Sequence, residues 1–343
     1  MERLIDLRSD TLTKPTEKMR RAMYEAEVGD DVYGEDPTIN RLEELAAEKV
    51  GMEKALFVPS GTMGNQIAVM AHTERGDEII LESEAHIYYY EVGGITALAG
   101  VQPRLVPGKH GIVNKEDIEK VLRSKNIHYP ETKLICLENT HNRGGGTITP
   151  LETMEKIKGL GIEKGISVHL DGARVFNAST ALQVDVKDII KHVDSVMFCL
   201  SKGLCAPVGS IIAGKADWIE KAKKYRKMLG GGMRQAGILA AAGILSITDM
   251  VDRLAEDHEN AAKLAKGLSE VNKITIDLST VQTNIVAFSI EKTGMQAPAF
   301  SNQLKKRGIL ANPIGPERIR MVTHNDVNAD DIDSTLDTIK SMV

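Results

Sequence analysis

The chain has 343 residues, 42% of them hydrophobic and 27% charged, with a formal net charge of −5. That length can bury a sizeable core and favours one large domain with a smaller companion. Mild acidity without a basic block argues against a nucleic-acid partner, and no run reaches the roughly 18 apolar residues of a membrane span. The three cysteines, Cys136, Cys199 and Cys205, sit in or beside apolar runs and show no metal-ligand spacing. They read as reduced core thiols rather than metal ligands. The opening MERLIDLRSD is charged and holds no apolar signal region. A soluble, cytoplasmic protein is the expectation.

Residues 1–15 read as an N-terminal arm. KALFVPS (54–60) is a strand pattern that runs into the helical GTMGNQIAVMAH. DEIILE (77–82) and KLICLEN (133–139) are further strands, and LETMEKIKGLG (151–161) is a helix. ISVHLDGAR (166–174), SVMFCLSKG (195–203) and GSIIAGK (209–215) continue the strand series. Strands alternating with helices predict an α/β domain with a mostly parallel sheet over 16–247. Residues 234–269 read as one long helical stretch. ITIDL (274–278), NIVAFSI (284–290), the helix PAFSNQLKKRG (298–308), RIRMVTH (318–324) and the closing helix 329–342 then predict a small α+β domain over 248–343.

In parallel sheets the chemistry gathers beyond the carboxyl ends of the strands. Three motifs fall there. SGTMGN (60–65) offers Ser60, Gly61 and Thr62 at the start of a helix, where free N–H groups and the helix dipole suit a phosphate. It is also an ordinary strand-to-helix turn, and it is neither a Walker loop nor a GxGxxG. HLDGAR (169–174) places Asp171 at a strand end with Arg174 close behind. Asp171 is either a helix cap or a buried carboxylate for a cationic heterocycle, and in the second case Arg174 would serve a carboxylate or an oxygen on the cofactor ring. LSKG (200–203) ends a core strand in Lys202, which is either a solvated charge or a desolvated amine able to form a Schiff base. Taken together, a Schiff-base lysine, an acidic partner for a pyridinium nitrogen and a phosphate cradle are what pyridoxal 5'-phosphate requires of a protein.

The sequence also resembles the low-specificity L-threonine aldolases, which have the aspartate-aminotransferase-like fold type I. The resemblance is carried by IDLRSDTLTKPT (5–16), VGDDVYGEDPTINRLEE (28–44), LFVPSGTMGNQ (56–66), ENTHN (138–142), HLDGARVFNA (169–178), MFCLSKGLCAPVGS (197–210) and GGGMRQAG (230–237). Towards the C-terminus it rests chiefly on RIRMVTH. The chain departs from the family at Tyr88-Tyr89-Tyr90, where relatives often carry a mixed aromatic pair.

The resemblance implies that Lys202 carries the cofactor, that Asp171 pairs with its pyridine nitrogen and that His86 stacks on its ring. Gly61 and Thr62, beside Ser60, would hold the phosphate. Ser9, Arg174 and Arg320 would contact the substrate carboxylate. Alternation puts Arg318 and Arg320 on the same strand face, so choosing Arg320 rests on the resemblance. Lys227 and Arg234 would reach the phosphate of a neighbouring subunit, and Tyr33 would contribute across the same interface. A homo-oligomer, dimer or tetramer, with shared active sites is therefore expected.

The implied reaction is retro-aldol cleavage of L-threonine, L-allo-threonine and related β-hydroxy amino acids to glycine and an aldehyde. For the base that takes the β-hydroxyl proton, His86, His128 and a bound water all remain open. β-Elimination and transamination would use the same cofactor residues, and product analysis separates them. A non-catalytic binding protein has no need of a Schiff-base lysine beside a stacked histidine, and no GxGxxG follows the first strand to support a nicotinamide dehydrogenase.

Overall fold

The computed structural model describes residues 4–343. The first three residues of the expected N-terminal arm lie outside the described residues. A seven-stranded sheet forms the centre, in the spatial order Lys54–Val58, Ser210–Gly214, Ser195–Cys199, Ser167–Asp171, Thr132–Glu138, Glu78–Glu82 and Gln102–Val106. Neighbours pair in parallel except around Ser210–Gly214, which is antiparallel to both strands flanking it. Three strands, Glu78–Glu82, Ser195–Cys199 and Ser210–Gly214, are buried at every residue. Helices cover both faces of such a sheet, so its strands read as continuous apolar runs rather than alternating ones.

Six strands point the same way, so Val58, Cys199, Asp171, Glu138, Glu82 and Val106 end at one edge. The helix Gly61–His72 starts there. The Ser60 hydroxyl caps it by accepting the Met63 N–H at 3.2 Å, and the helix then runs buried from Gly64 to Ala71. A buried helix needs no polar face, which explains its apolar sequence.

A second apolar core gathers Ala261, Leu264, Phe288, Phe300, Ile319 and Ile332, with Leu7 from the N-terminal segment. Its three-stranded sheet has Arg318–Val322 between Asn312–Pro313 and Ile285–Ser289. Ile5–Asp6 pairs in parallel with Ile309–Leu310, so the N-terminal segment is stapled to this second core.

Two expectations need correction. The helical stretch over 234–269 is two helices, Gly237–Asp249 and Leu254–Ser269, separated by a turn. ITIDL forms no strand: only Thr275 bridges Ser289, and Asp277 then caps a short 3₁₀ turn, Leu278–Thr280. Its side-chain-to-backbone bond competes with sheet pairing.

Candidate active site

At the carboxyl edge of the large sheet lies a cavity of about 280 Å³, close to the lower end of small-molecule pockets. Its lining includes Ser60, Gly61, Thr62, His86, Asp171 and Lys202. The motifs that are 142 positions apart at their extremes (Ser60 to Lys202) thus meet in one hollow. Thr11 and Asn65 line it as well.

The Gly61 and Thr62 N–H groups belong to the first turn of a helix and have no partner within it. Gly61 also sits close to the sheet. A Cβ there would come within 3.0 Å of Cys199 Sγ and 3.2 Å of Met197. Lys202 is half-buried in the loop after Ser195–Cys199, and its carbonyl accepts from the Thr13 hydroxyl at 2.8 Å. Among the described residues its ammonium has no hydrogen-bond partner.

Asp171 is 2% exposed. It does not cap the next helix, which starts at Val175. Its Oδ1 accepts from the Ala173 N–H at 3.1 Å and its Oδ2 from Asn65 Nδ2 at 2.8 Å. The same Asn65 nitrogen donates to Glu91 Oε1 at 2.8 Å. Two carboxylates can only accept here, so the Asn65 amide must face them with its N–H groups. Its Oδ1 then faces His169 Nε2 at 3.2 Å. That nitrogen therefore carries a proton, and burial holds His169 down to about 4, so its Nδ1 is an acceptor for the Ser195 hydroxyl at 2.9 Å. Ser195 in turn takes the Nε2–H of His72 at 2.7 Å, a ring that burial and the neighbouring His169 hold down to about 3. The orientation that the two carboxylates give Asn65 is thus carried on through His169 and Ser195 to His72.

His86 opens a short helix after Glu78–Glu82. Its N–H donates to Glu138 Oε2 at 2.7 Å, and its Nδ1 lies 3.0 Å from Glu91 Oε1. Burial disfavours the charged ring. The Glu91 hydrogen bond and the charges of Asp171, Glu91 and Glu138 outweigh that, so the pKa is raised. Glu138 Oε1 also accepts the Asn142 N–H at 2.8 Å. Behind it, buried His141 contacts Glu82 at 3.0 Å, and burial is again outweighed by Glu138 and Glu82, raising the ring's pKa.

Two arginines and a serine extend the site towards the second core. Arg174 is buried and forms a double contact with fully buried Asp10, Nε to Oδ2 and Nη2 to Oδ1, both at 2.7 Å. Asn284 Nδ2 reaches the same Asp10 carboxylate at 3.2 Å. Burial would raise the Asp10 carboxyl, but Arg174, Lys202 and Asn284 overcome it and hold it well below the usual range. Arg320 donates to Asn142 Oδ1 at 2.9 Å, while its buried Nε has no partner among the described residues. Burial and the like charge of Arg174 lower its pKa. Ser9 is half-buried and caps a short turn, accepting from the Thr11 N–H at 3.2 Å and the Thr11 hydroxyl at 2.9 Å. Arg318, on the same strand face as Arg320, is exposed.

Ser9, Arg174 and Arg320 thus stand beside the cavity rather than in its lining, and four further expected residues are exposed away from it within one chain. His128 is exposed on the loop that precedes Thr132–Glu138, so it sits towards the amino edge of the sheet rather than the carboxyl edge. A hollow of about 1030 Å³ lies under that loop, lined by Arg123, Ile127, Tyr129, Lys133 and Lys164. It gathers no set of converging catalytic groups. Tyr33 is 76% exposed, and Lys227 is exposed at the end of Ala216–Met228. Arg234 is also exposed and pairs with Asp30 at 3.0 Å.

The residues in the cavity fit pyridoxal phosphate. The first turn of Gly61–His72 offers N–H donors to an anion, buried Asp171 offers an acceptor to a ring N–H, and Lys202 offers an amine with no partner among the described residues. Asn65, Glu91 and Asp10 were not singled out by sequence reasoning. The available signals were Asn65 inside SGTMGN, an isolated acid in YYYEVGG, and Asp10 within RSDT.

Comparison with known proteins agrees. The family described as beta-eliminating lyase matches residues 6–291. Low-specificity L-threonine aldolase 1 of Arabidopsis thaliana is 47% identical over 339 residues, covering 97% of this chain and 95% of that one. Low specificity L-threonine aldolase of Escherichia coli K12 is 42% identical over 332 residues, covering 96% of each. The solved threonine aldolase of Leishmania major superposes with a TM-score of 0.85 at 20% identity, covering 98% of this chain and 99% of that one, which shows a shared fold. The chain belongs to the beta-eliminating lyase family and, within it, to the low-specificity L-threonine aldolases.

Proposed function

We propose that this chain is a pyridoxal-phosphate-dependent aldolase that cleaves L-threonine, L-allo-threonine and related β-hydroxy amino acids to glycine and an aldehyde. The observation that carries the reading is the convergence of Lys202, Asp171, His86 and the free helix start at Gly61–Thr62 on one cavity. When bound, pyridoxal phosphate supplies an electron sink for the pair released when the substrate's Cα–Cβ bond breaks.

The chain's own residues do the rest. Lys202 presents the amine that anchors the cofactor, and Asp171 accepts its ring N–H. Ser60 shapes the phosphate cradle by capping the helix, while the N–H groups of Gly61 and Thr62 serve the anion. His86 covers the ring. Ser9, Arg174 and Arg320 hold the substrate carboxylate. The Arg320 Nε, without a partner among the described residues, and the Arg174 edge left open by Asp10 support that role. A clamped carboxylate fixes which substrate bond stands in line for cleavage.

Of the two histidines considered as the base, His86 stands in the cavity. His128 would act only on a neighbouring subunit's site. Exposed Tyr33, Lys227 and Arg234 belong to the same proposal, a homodimer or tetramer whose protomers complete each other's sites. A cytoplasmic location and a part in glycine supply complete the reading, supported by three free, buried thiols.

Product analysis tests it. L-Threonine should give glycine and acetaldehyde in equal amounts. A 2-oxo acid with ammonia would move the function to β-elimination, and a 2-oxo acid formed only with an amino-group acceptor would move it to transamination.

A further inference from the structure

Glu91 is a buried carboxylate without a part in the chemistry so far. It is 2% exposed and lies in the loop after the short His86–Tyr89 helix. Its Oε1 faces His86 Nδ1 at 3.0 Å and accepts from Asn65 at 2.8 Å, while its Oε2 accepts from Gln66 Nε2 at 2.6 Å. Burial and the nearby charge of Asp171 raise its pKa against these hydrogen bonds. A buried charge held in this way needs all three donors.

We propose that Glu91 is a positioning residue that fixes the tautomer of His86. An ionised Glu91 can only accept, so His86 Nδ1 carries the proton. Nε2 is left as the basic nitrogen, with no partner among the described residues, on a ring that lines the cavity. A carboxylate behind a histidine orients the ring and stabilises the charge it gains, as in a Ser-His-Asp triad. Resting on the aldolase reading, the consequence is a proton acceptor aimed at the substrate. The β-hydroxyl proton moves to Nε2, the Cβ–O bond becomes a carbonyl, and the Cα–Cβ pair stays with the glycine carbon. The imidazolium then loses its proton to solvent as Cα takes one up. The groups that face the ring are Glu91, Asp171 and Glu138, with Lys202 across the cavity and the Tyr90 ring 5.5 Å away.

The test is ¹⁵N NMR of the holoenzyme with labelled histidine rings, with the His86 signals identified by their loss in His86→Asn. The wild type should show the Nδ1–H tautomer above the ring's pKa. Glu91→Gln keeps the shape and removes the charge, so the ring's pKa should fall by about one unit. The acid limb of kcat/KM should move down with it, because the neutral ring then persists to lower pH. A dominant Nε2–H tautomer in the wild type overturns the proposal even if the variant does not fold. So does an unmoved ring pKa in a folded variant. A moved ring with an unmoved acid limb removes His86 as the acceptor and with it the catalytic consequence. If the holoenzyme releases no aldehyde at all, the aldolase reading fails, while the ring titration still decides what Glu91 does.

Discussion

Asp10 and Arg174 illustrate how single residues tie the site to the fold. Asp10 is fully buried, and both its oxygens are taken by Arg174. Removing one partner of such a pair leaves an uncompensated buried charge, which costs about 3–5 kcal/mol. Asp10→Ala should therefore lower stability by that order in chemical denaturation, and raise KM because Arg174 loses its orientation. A variant within about 0.5 kcal/mol of wild type would contradict the pairing. The pH dependence has a definite sign. The Asp10 carboxyl is depressed in the folded state, so its contribution is full above the unfolded value of about 4 and is lost as pH falls towards the folded one. The stability difference between Asp10→Ala and wild type should accordingly shrink on acidification.

Between elements, the helix Pro37–Val50 is joined to the edge strand Lys54–Val58 by Glu43, whose Oε1 accepts the Phe57 N–H at 2.8 Å. Burial pushes this carboxyl up to about 7, against the Phe57 hydrogen bond and Arg226. A raised carboxyl costs stability as pH rises from its unfolded value to its folded one. Glu43→Gln keeps an acceptor for Phe57 and cannot ionise. Its advantage over wild type should be absent near pH 4.5 and grow to about 3 kcal/mol above pH 7. A pH-independent difference in Tm would contradict this.

The same scale shows what the sequence carries and what it does not. Runs such as SVMFC and DEIILE mark strands because they are buried on both faces, and Ser60 marks its helix start because capping is local chemistry. The carboxyl-edge placement of Lys202 and Asp171 follows from strand direction alone. The Asn65 bridge between Asp171 and Glu91 was not legible, because its partners are 106 and 26 positions away. Asp10 and Arg174 are separated by 164. Such contacts are set by how strands are ordered, which no local pattern encodes. The sequence of ITIDL has strand propensity, yet Asp277 turns the chain first.

For the molecule as a whole, Tyr33, Lys227 and Arg234 are exposed and stand outside the cavity of their own chain. If a neighbouring subunit supplies them, two inactive variants should complement. In mixed dimers of Lys202→Ala and Arg234→Ala, one of the two sites regains both residues. A random mixture should then recover about a quarter of wild-type activity. No recovery, with mixed dimers verified by mass, would place Arg234 at its own chain's site, and an Arg234→Ala protein active by itself would place it at none.

If Lys202 holds pyridoxal phosphate at the sheet edge and the loaded site splits a β-hydroxy amino acid, both will show in the visible spectrum of the purified protein, recorded before and after L-allo-threonine with acetaldehyde assayed in the same cuvette. The purified protein should be yellow, with a band that is lost in Lys202→Ala, and only the wild type should release acetaldehyde. A colourless protein that added pyridoxal phosphate cannot turn yellow, or a yellow one that releases no acetaldehyde, would contradict that assignment.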